Sequence, residues 1–374
     1  MSEEIKKGLL GIVVDETQVS KVMPEINSLT YRGYAVQELC EMCKFEEAAY
    51  LILNGELPNS INLKKFEKEE RSNRDLTKNL NEIIKHMPRK SHPMDVARTA
   101  VSVMGLEDKD TTNNSSEANM RKAMRIFAKT PTALAAFYRI RKGKKIIKPK
   151  KNLSFSENFF YMCFGKIPSK QIVKAFDVSL ILYAEHSFNV STFTARTITS
   201  SLSDIHGAIT GAIASLKGPL HGGANEEVMH MMNKIKKPEN ALKWINNALK
   251  NKEVIMGFGH RVYKSGDSRV PTMKKYFKKV AKIKKDKKFS KIYDIVEKVM
   301  IERKNIHPNV DYPTGPTYHL MGFDTDFFTP IFVTSRITGW AAHIMEQHAA
   351  NKLIRPLSKY SGPKHRKVLL LNQR

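Results

Sequence analysis

The chain has little cysteine. Cys40, Cys43 and Cys163 are the only three in 374 residues, too few for a disulfide framework and in keeping with a reducing cytosol. Cys40 and Cys43 form a C-x-x-C, but neither a second pair nor a histidine at ligand spacing accompanies them, so no zinc site is expected. Val36, Leu39, Cys40 and Cys43 follow helical spacing ahead of the apolar run 48–53 and read as small core residues of a helix. Long apolar runs are missing too: none approaches the ~20 residues of a spanning helix. The start, Met1-Ser2-Glu3-Glu4-Ile5-Lys6-Lys7, mixes acids into what would be the basic part of a secretion signal, and the apolar stretch 8–14 is stopped by Asp15. A cytoplasmic protein with no membrane partner is expected. Acid is also scarce: 37 Asp+Glu face 63 Lys+Arg, a formal charge of +26, which puts a basic nucleic-acid-binding protein among the alternatives. The excess lysine is spread widely, however. In its densest blocks, 139–151 and 274–291, apolar Tyr276, Phe277, Val280, Ile283 and Phe289 interleave with the lysines, the pattern of a solvated helix face, and no nucleic acid is expected.

Period-two alternation is confined to 9–14, whereas apolar residues recur at three and four in most segments, which predicts an all-α fold with few short strands. Ser91 leads into Pro93 and a periodic run, Ser191 caps a helix after the apolar segment 172–183, and Thr329-Pro330 opens the helix 331–348. The helix 204–216 carries Gly207, Gly211 and Ser215 at spacing four. Mid-helix glycine costs ~1 kcal/mol against alanine, so this flat face predicts close packing, either within the chain or across a subunit interface. Residues 274–304 read as a peripheral helix pair.

Two glycine-flanked histidines are the main chemical signal. Gly257-Phe258-Gly259-His260-Arg261-Val262-Tyr263 runs on through Lys264 to Arg269, and Gly218-Pro219-Leu220-His221-Gly222-Gly223-Ala224-Asn225-Glu226 lies upstream. Glycine brings backbone N–H groups close to an anion. Asp311 stands among Pro313, Gly315 and Pro316; alone, it would read as a turn cap. Arg336 lies in an apolar helix, where a buried guanidinium needs an acid or an anionic ligand, and Glu346 is too far along for an i, i+4 pair. His186, at a junction between helices, reads as a core histidine or as a ligand-binding one. No metal-ligand spacing, phosphate loop or nucleophile elbow accompanies these residues. Histidines that polarise carbonyls, a carboxylate that removes a proton and arginines that clamp carboxylates suit acid/base chemistry on an anionic substrate, without a metal.

The glycine-histidine segments, together with Asn309-Val310-Asp311 and Ser335-Arg336-x-x-Gly339-Trp340-x-x-His343, resemble citrate synthase in order and spacing from about residue 8 to about 366. Asn27-Ser28-Leu29-Thr30-Tyr31-Arg32-Gly33-Tyr34 and Arg355-Pro356-Leu357-Ser358-Lys359-Tyr360 resemble the small prokaryotic citrate and 2-methylcitrate synthases. The resemblance implies a citrate synthase-like two-domain helical fold. A large domain would be made of 1–222 and 324–374, with a small domain, 223–323, between them. It implies condensation of acetyl-CoA with oxaloacetate, or of propionyl-CoA in a 2-methylcitrate synthase, with the coenzyme A thioester as substrate and no cofactor. Asp311 would be the base, His221 would bond the thioester oxygen and His260 the oxaloacetate carbonyl. His186, Arg269 and Arg336 would hold oxaloacetate. Arg355 would reach the neighbouring site of a homodimer, for which the Gly207/Gly211 face is a candidate interface. Met256, Gly257, Phe258, Gly259, Arg261, Val262 and Lys264 would contact coenzyme A. The family's NADH-inhibited members carry an N-terminal extension, and its absence here predicts no such regulation.

Overall fold

The computed structural model describes residues 5–9, 11–263 and 266–374; Lys264 lies outside the described residues. Helix dominates, as the apolar spacing predicts. Among the described residues, strand is confined to one antiparallel sheet in the order β1 (Ser20–Met23), β2 (Ser28–Tyr31), β3 (Tyr34–Ala35). Leu10 lies outside the described residues; the rest of the alternating stretch 9–14 forms no strand: Ile12, Val13 and Val14 are exposed, with no neighbouring strand among the described residues to take their backbone hydrogen bonds. In β2, Leu29 and Tyr31 point inward in strict alternation. The Tyr31 hydroxyl donates to the carbonyl of Ile181 at 2.9 Å and lies 3.0 Å from that of Glu185. The sheet thereby pins the segment that carries His186.

The first half of the chain folds as α1 (Val36–Met42), α2 (Phe45–Asn54), α3 (Ser60–Ser72), α4 (Lys78–His86), α5 (Pro93–Glu107), α6 (Ser116–Arg141), α7 (Phe155–Phe164) and α8 (Lys170–Tyr183). Side chains that accept from the first turn mark most starts: Asn59, Thr77, Ser115, and Ser154 in a reciprocal box with Glu157, each satisfying amides with no partner inside the helix. The cap of α5 is His92, not Ser91; its Nδ1 accepts from the Met94 amide. Cys40, Cys43 and Cys163 are free and buried, as small core residues should be.

Next come α9 (Val190–Thr199), α10 (Ile205–Leu216), α11 (Ala224–Ile235) and α12 (Pro238–Lys250), then α13 (Val270–Ile283), α14 (Lys288–Lys304), α15 (Asp311–Met321) and α16 (Phe328–Ala349). The cap of α9 is Asn189, whose Oδ1 accepts from the Thr192 amide, so Ser191 is not the cap; its hydroxyl lies 2.8 Å from that same Oδ1 and 2.8 Å from His221 Nε2. Asp311 is not in a turn but opens α15. Proline in a first helical turn lacks only an N–H that would have no intrahelical partner, so Pro313 is tolerated there. The flat face of α10 is met inside the chain: a Cβ on Gly211 would collide with Ile198 of α9. The intrachain half of that expectation therefore suffices to explain this glycine. α16 is apolar on every side and buried along most of its length, as a central helix must be; it packs against α2, α5, α6, α8, α9 and α10.

The lysine-rich helices α13 and α14 turn Phe277, Val280 and Phe289 inward. Lys282, Lys284, Lys285, Lys287 and Lys291 stay in solvent, the solvated face read from the pattern. Among the described residues, no helix is long and apolar enough to cross a membrane.

Candidate active site

The sheet anchor and the end of α8 set the first functional side chain. Ser20 Oγ donates to Glu185 Oε1 at 2.9 Å and accepts from the Ser187 amide at 2.8 Å, fixing both sides of His186. The His186 ring is buried, yet its Nε2 has no partner. That nitrogen is able to bond a ligand. Burial, then the charges of Arg269, His260 and Arg336, hold His186 well below the usual histidine range, and it is neutral. Its ring meets that of His260 edge-on, with centroids 5.1 Å apart.

His221 lies in the turn between α10 and α11 and keeps part of its surface exposed. Its Nε2 accepts from the Ser191 amide at 3.2 Å and contacts the Ser191 hydroxyl at 2.8 Å. A backbone N–H can only donate, so Nε2 is the acceptor nitrogen and Nδ1 carries the proton. Trp340 Nε1 in turn donates to Ser191 Oγ at 3.1 Å. Burial, with the fields of Arg336 and Arg269, pushes His221 down to about 3. The ring is a neutral donor.

His260 follows the same logic in mirror image. The amides of Val262 and Tyr263 lie 3.1 and 3.2 Å from its Nδ1, so the proton sits on Nε2. The loop that holds it is laced to the start of α15. The Gly259 amide donates to the His307 carbonyl and the Asn309 amide to the Gly257 carbonyl, both at 2.9 Å, while Asn309 Nδ2 donates to the Gly259 carbonyl at 3.0 Å. Phe258 packs on Tyr312 with centroids 4.4 Å apart, and Met256 packs half-buried against the core. Arg261 donates to the Gly8 carbonyl at 2.8 Å, and Val262 is exposed. A cavity of about 190 Å³ opens beside the loop, lined by His260, Tyr263, Asp267 and His307 among others.

Gly257 is required twice. Its φ is +83°, and a Cβ there would lie 2.6 Å from Val228 Cγ2 and 2.9 Å from Tyr312 Cβ. Gly257→Ala is expected to destabilise the fold by about 1–3 kcal/mol. Urea unfolding should show a lower midpoint at an unchanged slope.

Asp311 stands at the head of α15, its amide held by Asn309 Oδ1 at 3.1 Å. Its Oδ1 accepts from the Tyr183 hydroxyl at 2.6 Å. Burial raises its carboxyl to about 6, opposed by the Tyr183 hydrogen bond and the Arg269 and Arg336 charges, with Asp267 pushing upward. Arg269 is clamped by Asp267 through Nε–Oδ1 at 2.9 Å and Nη2–Oδ2 at 2.7 Å. Asp267 Oδ2 also accepts from the Val310 amide at 3.1 Å, so one carboxylate ties Arg269 to the residue before Asp311. Arg336 donates from Nε to the Tyr183 carbonyl at 2.7 Å and lies 4.7 Å from the Phe332 ring centroid. Its Nη1 is buried without a partner. Burial pushes the guanidinium down to about 10, with Glu185 the first charge that opposes the shift. The acid expected near Arg336 is thus Glu185, engaged with Ser20 and with His343 at 3.0 Å. It leaves an arginine nitrogen available to an anion.

Six of the sequence-expected residues therefore gather in one cluster: His186, His221, His260, Arg269, Asp311 and Arg336. Arg355 does not join them. It lies exposed in the irregular segment after α16. Among the described residues, no three His, Cys, Asp or Glu side chains are grouped to hold a metal. Tyr183, Ser191, Trp340, Asp267 and Asn309 were missed as site-building residues. Three carried a signal: Asp267 is an acid in an otherwise basic loop, Asn309 precedes Asp311 at the spacing of an Asx turn, and Trp340 stands in the motif that follows Arg336.

Residues 8–357 match the family described as citrate synthase, C-terminal domain. The chain is 52% identical over 365 residues to a citrate synthase of Mycolicibacterium smegmatis, covering 98% of this chain and 97% of the relative. It is also 52% identical over 363 residues to a 2-methylcitrate synthase of Mycobacterium tuberculosis, covering 97% and 92%. The solved ternary complex of carboxymethyl coenzyme A and oxaloacetate with citrate synthase from Thermoplasma acidophilum superposes over 100% of both chains, with a TM-score of 0.95 at 32% identity.

Proposed function

The chain belongs to the citrate synthase family, and we propose that it condenses acetyl-CoA with oxaloacetate and hydrolyses the resulting thioester to citrate and coenzyme A. The observation that carries this is the pairing of two neutral histidines, each with its proton on the nitrogen away from its backbone donors, with one carboxylate of raised pKa. An α-proton beside a thioester is weakly acidic. A carboxylate removes it only if charge growing on the thioester oxygen meets a placed donor.

Asp311 takes the proton while His221 Nδ1–H bonds that oxygen. The new carbon nucleophile adds to the oxaloacetate carbonyl, and His260 Nε2–H bonds the carbonyl oxygen and delivers its proton as the oxygen becomes a hydroxyl. Water then cleaves the thioester, returning a proton to His260 Nε2 as it attacks, and coenzyme A leaves as the thiol with the proton that Asp311 took. Arg269, Arg336 and His186 hold the two oxaloacetate carboxylates, for which the unpartnered Arg336 Nη1 and His186 Nε2 are suited. The 256–262 backbone serves coenzyme A. Two lobes, 1–222 with 324–374 and 223–323, exclude water around the site until condensation is complete. In a homodimer, the exposed Arg355 extends to the neighbouring site. No cofactor or metal enters this scheme.

Equal identity to relatives of both names supports propionyl-CoA as the alternative donor, giving 2-methylcitrate. Thiol release is to be measured with oxaloacetate and either thioester in parallel. The higher kcat/KM is expected with acetyl-CoA. A preference for propionyl-CoA selects the alternative, and no release with either overturns the proposal.

A further inference from the structure

We propose that Tyr183 is a positioning residue for the reaction, whose hydroxyl holds one oxygen of Asp311 so that the other faces the acyl carbon. This rests on Asp311 being the base. A carboxylate at the first position of a helix has other ways to bond, since the free amides of the first turn attract it. Here Oδ1 is committed instead to Tyr183 on α8, at 2.6 Å.

The tyrosine itself has little freedom. Its side chain is buried, and its ring stacks on Phe332 of α16 with centroids 3.9 Å apart. Its carbonyl accepts from Arg336 Nε at 2.7 Å. One residue thus touches the proposed base through its side chain and an oxaloacetate-binding arginine through its backbone. Burial and the neighbouring Asp311 charge hold the phenol far above its ordinary range, so it remains a donor throughout the working pH.

Two consequences follow from the division between hydroxyl and carbonyl. Removing the hydroxyl withdraws a donor that favours the charged carboxylate; Asp311 then protonates at higher pH. The groups that remain around it are Arg269 and Arg336, which favour the anion, and Asp267, which opposes it. The carbonyl and the ring stack survive in phenylalanine, so the Arg336 contact is kept.

Tyr183→Phe is therefore expected to lower kcat about tenfold. It should move the acid limb of the kcat/KM profile up by about one pH unit and leave KM for oxaloacetate within about twofold. Thermal unfolding followed by circular dichroism checks that the variant folds. Should it not fold, 3-fluorotyrosine placed at 183 supplies the second arm. As a stronger donor, it should move the acid limb down. An unmoved acid limb overturns the proposal, including the case where activity falls equally at every pH, because a merely structural tyrosine would behave that way. Asp311→Asn is run alongside. If that variant stays active, the base assignment itself is wrong; if it is inactive while Tyr183→Phe leaves the limb in place, the positioning role alone is wrong.

Discussion

Asp311→Asn is expected to lower thiol release about 10³-fold, while the protein folds normally and KM for oxaloacetate stays near the wild-type value. A positioned general base contributes roughly 10²–10⁴ in rate, and asparagine keeps the shape of the side chain while losing the lone pair that takes the proton. The amide oxygen still accepts from Tyr183 and the backbone amide still meets Asn309 Oδ1, so packing at the head of α15 is preserved. Arg269 stays clamped to Asp267 and Arg336 to the Tyr183 carbonyl, which is why oxaloacetate binding should not change. With Asp311 as the proposed base, the carboxylate is the active form. Burial sets its pKa at about 6, so kcat/KM should fall as pH drops through 6 and level off above it. A variant releasing coenzyme A at near wild-type rate removes Asp311 from the role of base.

The candidate site was legible because backbone chemistry forced unusual residues onto it. Gly257 is tightly constrained at φ +83° between Val228 and Tyr312, and such a glycine three residues ahead of a histidine is visible in any single sequence. Arg336 stood out for the opposite reason: a guanidinium in an apolar helix needs an explanation wherever it occurs. What was hidden was the support around these groups. Ser191 is a suitable helix-cap residue by type, and only the three-dimensional path shows that Asn189 takes that task while the Ser191 hydroxyl meets Asn189, His221 and Trp340. Tyr183 ends an apolar helix, and nothing local distinguishes it from a core tyrosine; its partner is 128 residues away. The short sheet was not located for a related reason. Alternation at 9–14 is a local property, whereas a strand requires a neighbour, and among the described residues only 20–35 has one.

The supporting role of Ser191 gives a graded expectation at the other histidine. His221→Ala should lower kcat by about 10²–10³, the range seen when one donor to a developing oxyanion is removed. Ser191→Ala should cost less than about tenfold, because the bond that fixes the His221 tautomer comes from the Ser191 backbone amide and survives the substitution. The hydroxyl does matter for stability. Its loss leaves buried Trp340 Nε1 without an acceptor, which should destabilise the fold by about 1–3 kcal/mol, read as a lower urea midpoint. The pH profile separates these effects from those at Asp311. With its pKa near 3, His221 is already neutral where Asp311 titrates. His221→Ala should therefore lower the rate by the same factor on either side of pH 6 and leave the acid limb in place, whereas loss of the Tyr183 hydroxyl should shift it. If His221→Ala moves the limb, the two groups are titrating together and a fixed neutral donor at His221 is wrong; if Ser191→Ala is as damaging as His221→Ala, the hydroxyl rather than the amide holds the ring.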